Sequence, residues 1–286
     1  MKKLLLLPLL LLFLNVSCGS DDIVLNEPPA TEILEAQTML NVAYGTDPQQ
    51  KIDIYLPEGR DENTKVIVLL HGGSWVAGTK EDMNFFIPTI QNEFPDHAIV
   101  NISYRLANAT SPAFPKQIVD IELVMDHLET GDYHISDDYA FIGVSAGAHL
   151  SMLYAYQFDE EHDVKAVVDV VGPADFTDPE YTTHPLYAQS GLTLLGTTTP
   201  TDAQIATVNP AAHITALAPP TISFYGGVDP LVPATQGPLL KAKLDSFGVY
   251  NEFNFYPEGG HADWSVPIMA EVFSKIIVFL DNHFES

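Results

Sequence analysis

From about residue 38 to the end of the chain, short apolar runs alternate with segments in which apolar residues recur at helical spacing. The first two runs flank a turn at Asp47-Pro48 and predict an antiparallel strand pair over residues 39–44 and 51–56. The later alternation of buried strands with helices is typical of a mostly parallel sheet covered by helices on both faces. Further strands are predicted over residues 66–70, 98–103, 139–143, 164–171, 221–225 and 252–256, and helices over residues 80–92, 115–128, 146–156, 234–247 and 265–283.

The N-terminal residues have a different pattern, with two lysines followed by an almost continuous apolar run over residues 4–14. This is the form of a secretory signal, and the run is too short to cross a bilayer comfortably. Cys18, the only cysteine, follows in a Leu-Asn-Val-Ser-Cys stretch that resembles a bacterial lipobox, with Asn15 at a position where leucine is usual. We therefore expect residues 1–17 to be a cleaved signal peptide and Cys18 to be lipidated. A signal peptide beside an incidental cysteine is the alternative.

Residues 18–36 are polar and acidic, contain Pro28 and Pro29, and show no apolar period, which predicts a tether. A lipidated tether predicts an exported protein, anchored on the periplasmic side or on the cell surface of a Gram-negative bacterium, with no other attachment to the membrane. Asp21 and Asp22 favour the surface, although an acidic linker explains them as well. A single cysteine leaves no partner for an internal disulfide.

Composition narrows the class of protein further. With 286 residues, 46% of them hydrophobic, the chain can bury the core of one α/β domain, which we expect over residues 37–286. The 38 acidic residues outnumber the 12 lysines and arginines and give a net charge of −26. Such a charge repels phosphate backbones and anionic head groups, so nucleic acid is excluded as a partner.

The predicted strand over residues 139–143 ends in Gly143-Val144-Ser145-Ala146-Gly147, directly before a helical pattern. In a Gly-x-Ser-x-Gly turn the serine sits at a sharp corner between strand and helix, and its hydroxyl projects above the sheet as a nucleophile. Glycine is needed on both sides because a side chain there would collide with the neighbouring strand or helix. A glycine-rich turn with a capping serine is the alternative, so the rest of the chain must decide.

A serine hydroxyl reacts only when a base takes its proton, and the base needs an orienting carboxylate. Asp229 follows the strand over residues 221–225 in a glycine-containing loop, and His261 follows the strand over residues 252–256 in the same way. Both therefore lie at the carboxyl edge of the sheet, where Ser145 also lies. The sequence predicts that the three side chains converge.

A fourth element, His71-Gly72-Gly73-Ser74-Trp75, comes directly after the strand over residues 66–70. Its glycines allow backbone N–H groups of Gly72, Gly73 and Ser74 to face the site, where they and the N–H of Ala146 can stabilise an oxyanion. His71 is expected to brace this loop rather than to transfer protons. His149 lies in a helical pattern and is expected to be structural.

Taken together, these stretches resemble an α/β-hydrolase of the esterase/lipase group related to hormone-sensitive lipase, over almost the whole domain. The stretches that carry the resemblance are Asp53-Ile54-Tyr55-Leu56-Pro57, the His71 loop, Tyr104-Arg105-Leu106, Phe114-Pro115 with Asp120, the Ser145 elbow, Asn209-Pro210, and the Asp229 and His261 loops. Ser74 replaces the usual third glycine and Trp75 follows it, as in feruloyl-esterase-like and kynurenine formamidase-like members.

The resemblance implies an α/β-hydrolase fold with a mostly parallel eight-stranded sheet, flanking helices and a small cap insertion over about residues 174–208. It implies a serine carboxylesterase that works through an acyl-enzyme, with Ser145, His261 and Asp229 as the triad. No cofactor is implied, and no acidic or histidine cluster has the spacing of metal ligands.

The polar composition of the cap favours small acyl groups, such as acetyl or feruloyl esters on carbohydrate. An arylformamidase-like amide hydrolase is the alternative chemistry, and a binding protein on a hydrolase scaffold is the alternative class.

Overall fold

In the computed structural model, residues 33–285 are described, and they contain one eight-stranded sheet. The strand order is β1-β2-β4-β3-β5-β6-β7-β8. β2 pairs antiparallel with β1 and β4, whereas the pairs from β4 through β3 to β8 are all parallel. The strands are β1 Gln37–Ala43, β2 Lys51–Leu56, β3 Val66–Leu70, β4 Ala98–Ser103, β5 Tyr139–Val144, β6 Val164–Val170, β7 Thr221–Gly226 and β8 Asn251–Tyr256.

Helices connect the parallel strands, as parallel pairing requires. They are α1 Ile87–Glu93, α2 Lys116–Thr130, α3 Ala146–Leu153, α4 Pro179–Thr182, α5 Tyr187–Leu195, α6 Asp202–Ala206, α7 Pro210–His213, α8 Gln236–Ser246 and α9 Val266–His283. A short 3₁₀ turn, Lys80–Met83, precedes α1, and a π-helical segment, Tyr154–Phe158, extends α3. Within residues 33–285, no helix is both long and apolar enough to span a membrane.

The central strands are buried on both faces, so their sequences are continuously apolar. All five residues of β3 have no exposed side-chain surface, and two apolar clusters lie on the two faces of the sheet. One cluster packs α2 and α3 against the sheet, and the other packs α1 and α9. At roughly 1.5–3 kcal/mol for each buried Val, Leu, Ile or Phe, these clusters are the main source of stability and fix the strand ends.

The predicted fold class is confirmed, and most element boundaries agree within two residues. The predicted helix over residues 80–92 is wrong, because the segment divides into the 3₁₀ turn and α1. Phe85 and Phe86 lie between these two pieces, and Pro88 sits in the first turn of α1, where it lacks an N–H to continue a preceding helix. The predicted helix over residues 146–156 changes to π-helical geometry after Leu153.

The segment over residues 174–208, hereafter the cap segment, contains α4, α5 and α6. Its base is held by Gln236 at the start of α8, whose side chain has no exposed surface. The Gln236 Oε1 accepts hydrogen bonds from the backbone N–H groups of Ala174 and Asp175 at 2.9 and 2.8 Å. Its Nε2 donates to the Asp175 carbonyl and to the Asp178 carboxylate. One amide side chain therefore fixes where the cap segment leaves the sheet.

Candidate active site

Ser145 occupies the corner between β5 and α3 with φ +55° and ψ −117°, a conformation that non-glycine residues rarely adopt. Close packing explains the flanking glycines. A Cβ at Gly143 would lie 2.5 Å from the Ala148 backbone, and a Cβ at Gly147 would lie 2.1 Å from the Leu70 carbonyl oxygen. The elbow is thus wedged between its own helix and the end of β3.

The structure brings Ser145, His261 and Asp229 together in one hydrogen-bonded chain. The His261 Nε2 is 2.8 Å from the Ser145 Oγ, and its Nδ1 is 2.7 Å from the Asp229 Oδ2. A carboxylate only accepts hydrogen bonds, so Nδ1 carries the proton and Nε2 is free to accept the serine hydroxyl. This is the tautomer that a general base requires.

Asp229 is itself fixed in place. Its side chain is 1% exposed, and its Oδ1 accepts hydrogen bonds from the backbone N–H groups of Leu231 and Val232 at 2.8 and 3.0 Å. The loop that carries Asp229 is joined to the His261 loop by a hydrogen bond from the Val228 N–H to the Gly259 carbonyl. The carboxylate and the imidazole therefore approach Ser145 as one unit.

The loop after β3 turns back beneath the elbow through Gly73, Ser74 and Trp75, which have φ values of +113°, +50° and +64°. The backbone N–H groups of Gly72, Gly73, Ser74 and Ala146 donate no hydrogen bond to any residue in the range 33–285. All four residues line the space next to Ser145. Unpartnered N–H groups beside a nucleophile are what an oxyanion hole requires.

Trp75 is anchored by His149, which lies on the buried side of α3. The Trp75 Nε1 donates to the His149 Nδ1 at 3.1 Å, and the His149 Nε2 donates to the Val208 carbonyl at 2.8 Å. Burial lowers the pKa of His149 to about 4, so the ring is neutral and can accept one bond and donate the other. His149 is therefore structural, and it links the loop after β3 to the end of the cap segment.

His71 also supports the loop. Its ring stacks on Tyr104 at 4.2 Å, its Nδ1 contacts the Gly72 carbonyl at 2.6 Å, and its backbone carbonyl accepts the Tyr104 hydroxyl. Burial lowers the pKa of His71, which keeps the ring neutral.

Besides Trp75 and His149, Asp169 and Tyr225 form a buried hydrogen-bonded pair near the start of the cap segment. The Tyr225 hydroxyl is 2.6 Å from the Asp169 Oδ2 and 2.7 Å from the Gly172 carbonyl oxygen, but it has only one hydrogen to donate. A protonated Asp169 resolves this conflict, since Asp169 then donates to Tyr225 and Tyr225 donates to Gly172. Burial raises the pKa of Asp169 to about 7, in agreement with that assignment.

Two cavities meet at Ser145 and His261. The cap cavity, of about 100 Å³, lies under the cap segment and is lined by Tyr181, Leu186, Ser190 and Thr193. The loop cavity, of about 390 Å³, lies on the side of the Gly72–Ser74 loop and is lined by Asp82, Met83 and Phe85. The site can therefore receive a small group on one side of the nucleophile and a larger group on the other.

Of the residues singled out in the sequence, Cys18 and the signal peptide over residues 1–17 lie outside the described range. The triad residues lie in that range and form one hydrogen-bonded chain, and the four residues whose N–H groups are unpartnered line the two cavities at Ser145. Within residues 33–285, no cluster of three or more His, Cys, Asp or Glu side chains could hold a metal ion. Asp82 and Phe85 are functional candidates that the sequence pattern does not indicate, because a continuous helix over residues 80–92 would not place them at the cavity beside the nucleophile. Pro88 was the available signal for the break.

The elbow, the hydrogen-bonded Ser-His-Asp chain and the eight-stranded sheet define an α/β hydrolase. Residues 52–244 match the family model BD-FAE. The chain therefore belongs to the BD-FAE family of α/β-hydrolase esterases, and the resemblance stated from the sequence is confirmed.

Individual proteins agree with this placement. The chain is 27% identical over 150 residues to kynurenine formamidase of Danio rerio, covering 49% of this chain and 47% of that protein. It is 26% identical over 215 residues to esterase LipC of Mycobacterium tuberculosis, covering 68% and 52%. It thus spans about half the length of the curated relatives it matches. A truncated carbohydrate esterase from gut microbiota shares the fold, with a TM-score of 0.73, 22% identity and coverage of 87% and 96%.

Proposed function

We propose that the protein is a serine hydrolase of carboxylic esters that works through an acyl-enzyme on Ser145. The observation that carries the proposal is the continuous hydrogen-bonded chain from the Ser145 Oγ through His261 to Asp229. A nucleophile in reach of a base, with the base oriented by a third group, is the arrangement that activates a serine hydroxyl.

The steps follow from the geometry. The His261 Nε2 takes the proton as the Ser145 Oγ bonds to the ester carbonyl carbon, and the carbonyl oxygen becomes an oxyanion. The unpartnered N–H groups of Gly72, Gly73, Ser74 and Ala146 are the donors available to that oxyanion, and one such donor is worth roughly 10²–10³ in rate. The C–O bond to the alcohol then breaks, and the alcohol oxygen takes the proton from His261. Water attacks the acyl-serine by the same base-assisted route and releases the acid.

The two cavities suggest how an ester would be oriented. A polymeric alcohol has to extend into solvent, so it fits the loop cavity of about 390 Å³ better than the cap cavity of about 100 Å³. The cap cavity then receives the acyl group, and its volume favours acetyl and other short acyl chains. Tyr181, Ser190 and Thr193 give that cavity polar atoms as well as apolar surface. We propose short-chain esters on carbohydrate as the substrate class, in line with the name of the structural neighbour from gut microbiota.

Amide hydrolysis of an N-formyl group is the second proposal, because a formyl group also fits the cap cavity. The similarity to kynurenine formamidase of Danio rerio and the His71–Trp75 loop favour it.

One substrate panel separates the two chemistries. The purified enzyme is assayed against acetylated xylan, methyl ferulate, short- and long-chain nitrophenyl esters and N-formylkynurenine. The ester proposal predicts the highest kcat/KM on acetylated and short-chain substrates. Preference for N-formylkynurenine would overturn ester hydrolysis as the main activity, and preference for long acyl chains would overturn the carbohydrate-ester assignment. Preference for methyl ferulate would keep the carbohydrate-ester assignment but contradict the placement of the acyl group in the cap cavity.

We further propose that the mature protein is exported and anchored through lipid on Cys18. Two acyl chains or more bind a membrane stably, whereas one binds marginally. Mass analysis of the mature N-terminus should find a lipidated cysteine, and Cys18→Ser should move the protein from the membrane fraction to the soluble fraction. An unmodified mature N-terminus would contradict the anchor.

A further inference from the structure

Phe85 is an exposed aromatic ring beside the nucleophile. It lines the loop cavity together with Ser145 and His261, and 51% of its surface is exposed. Its ring is held from behind by Phe86, with ring centroids 4.4 Å apart, and by Phe273, at 6.0 Å in an edge-on arrangement. Phe86 is fully buried, so the ring of Phe85 rests on the core while half of its surface remains exposed. A supported ring of this kind is a preformed platform.

Asp82 supplies the polar partner of the platform. It lines the same cavity, and its side chain is exposed. The Asp82 Oδ2 accepts the backbone N–H of Thr79 at 3.0 Å, which fixes the carboxylate at the start of the 3₁₀ turn. The Oδ1 has no hydrogen-bond partner among residues 33–285. An oriented carboxylate oxygen without a donor accepts hydrogen bonds from a ligand's hydroxyl groups.

An exposed aromatic ring that lines the same cavity as a fixed acceptor matches the chemistry of a sugar ring. One face of a pyranose carries C–H groups, whose hydrogens are attracted to the negative face of an aromatic ring. The ring edge carries hydroxyl donors, which a carboxylate accepts. The cavity of about 390 Å³, which both Phe85 and Ser145 line, leaves room for such a ring.

We propose that Phe85 and Asp82 form a subsite for the sugar ring that carries the scissile ester. The inference rests on the proposed function, because it assigns the loop cavity to the alcohol side of the ester. Phe85 contacts the C–H face of the ring, and Asp82 accepts one or two of its hydroxyl groups. The two residues therefore determine preference among alcohols and leave the acyl preference to the cap cavity.

The test compares two esters with the same acyl group: an acetylated xylo-oligosaccharide and ethyl acetate. We expect the wild-type protein to prefer the sugar ester in kcat/KM. Phe85→Leu keeps apolar surface but removes the aromatic face, and should lower the ratio of sugar ester to ethyl acetate about tenfold. Phe85→Tyr restores the ring and should restore the ratio. Asp82→Asn keeps the oxygen that accepts the Thr79 N–H but loses the charge, and should lower the ratio several-fold through a higher KM.

Phe247→Leu is the matched control, because Phe247 is another exposed phenylalanine, at 41%, but lines neither cavity. It should leave the ratio at the wild-type value. A wild-type preference for the sugar ester that survives Phe85→Leu would overturn the subsite and leave the carbohydrate assignment standing. A wild-type protein that prefers ethyl acetate would overturn both. Loss of ester hydrolysis in Ser145→Ala separates either result from failure of the serine mechanism.

Discussion

The two sides of the cleft around Ser145 are built in different ways. The elbow and the loop over residues 71–75 are wedged against β3, with glycines where backbone passes within contact distance of backbone. The cap segment consists of three short helices whose base is held by hydrogen bonds from one glutamine. Tight packing cannot change by one methyl group without cost, whereas the exposed positions of a short helix tolerate change. The elbow and its loop are therefore suited to chemistry, and the cap segment is suited to acyl selectivity.

A substitution in the closely packed elbow should have the largest effect on activity and stability. Gly147→Ala places a Cβ about 2.1 Å from the Leu70 carbonyl oxygen, which is backbone and cannot rotate away. Since the elbow must shift, we expect kcat to fall by at least 10²-fold and the free energy of unfolding to fall by several kcal/mol, measured by ester hydrolysis and urea denaturation.

Gly248→Ala is the control for this substitution. Gly248 has φ +72° but no atom within 4 Å of an added Cβ, so it should cost about 1–2 kcal/mol of backbone strain and no activity. Equal activity in Gly147→Ala and the control would contradict the wedged elbow.

Removing the hydrogen bond between Trp75 and His149, which connects the loop after β3 to the cap segment, should have the second-largest effect. Trp75→Phe keeps an aromatic ring but removes the N–H that the His149 Nδ1 accepts, and an unpaired buried acceptor costs about 1–3 kcal/mol. Because Trp75 follows the proposed oxyanion donors directly, kcat should fall about tenfold with a smaller change in KM. The double variant with His149→Leu should cost less than the sum of the single variants. Additive losses in kcat and stability would show that the contact does not position the loop.

The sequence predicted the position of the triad residues better than the structure of the cap segment. Ser145, Asp229 and His261 each follow an apolar strand, so strand order alone places them at one edge of the sheet. The cap helices are four, nine and five residues long, which is too short for a hydrophobic period to define them. The cavities could not be predicted, because they depend on how those helices meet the loops.

The buried pairs could not be predicted either. Asp169 and Tyr225 meet because β6 and β7 pair in a particular register, and that register is set by packing across the sheet. The helical pattern predicts a structural role for His149, but its hydrogen-bond partners, Trp75 and Val208, come from two other segments of the chain.

The Trp75–His149 pair and the Asp169–Tyr225 pair should affect the pH dependence of folding stability in opposite directions. The His149 pKa is lowered from 6.5 to about 4, so the unfolded chain binds the extra proton in that window and stability falls as pH decreases from 6.5 to 4. The Asp169 pKa is raised from 3.8 to about 7, so the folded chain binds the extra proton and stability falls as pH increases from 4 to 7. The two contributions oppose each other between pH 4 and 6.5.

We therefore predict opposite effects of single substitutions on the pH dependence of stability. Relative to wild type, Asp169→Asn should lose stability toward acid, and His149→Asn should gain stability toward acid, each with a slope of up to about 1.4 kcal/mol per pH unit. Urea denaturation from pH 4 to 7 measures both. Parallel curves for wild type and Asp169→Asn would contradict the protonated carboxyl group.

The smallest effect should come from trimming the cap cavity. Leu186→Ala enlarges the cavity at a side chain that is 39% exposed, so it should cost less than about 1 kcal/mol of stability. The ratio of kcat/KM for a hexanoyl ester to that for an acetyl ester should rise several-fold, because longer chains gain space. Leu192→Ala, equally exposed but outside the cavity lining, should leave the ratio unchanged. An unchanged ratio in Leu186→Ala would contradict the proposal that the acyl group binds in the cap cavity.

Intact-protein and peptide mass analysis after reaction with a fluorophosphonate would identify the nucleophile directly. We predict one adduct per wild-type chain, located on Ser145, with loss of ester hydrolysis in step with labelling. Ser145→Ala should fold normally, take up no adduct and show no turnover. An adduct on another residue, or ester hydrolysis that persists at the wild-type rate in Ser145→Ala, would contradict the proposal that Ser145 is the nucleophile.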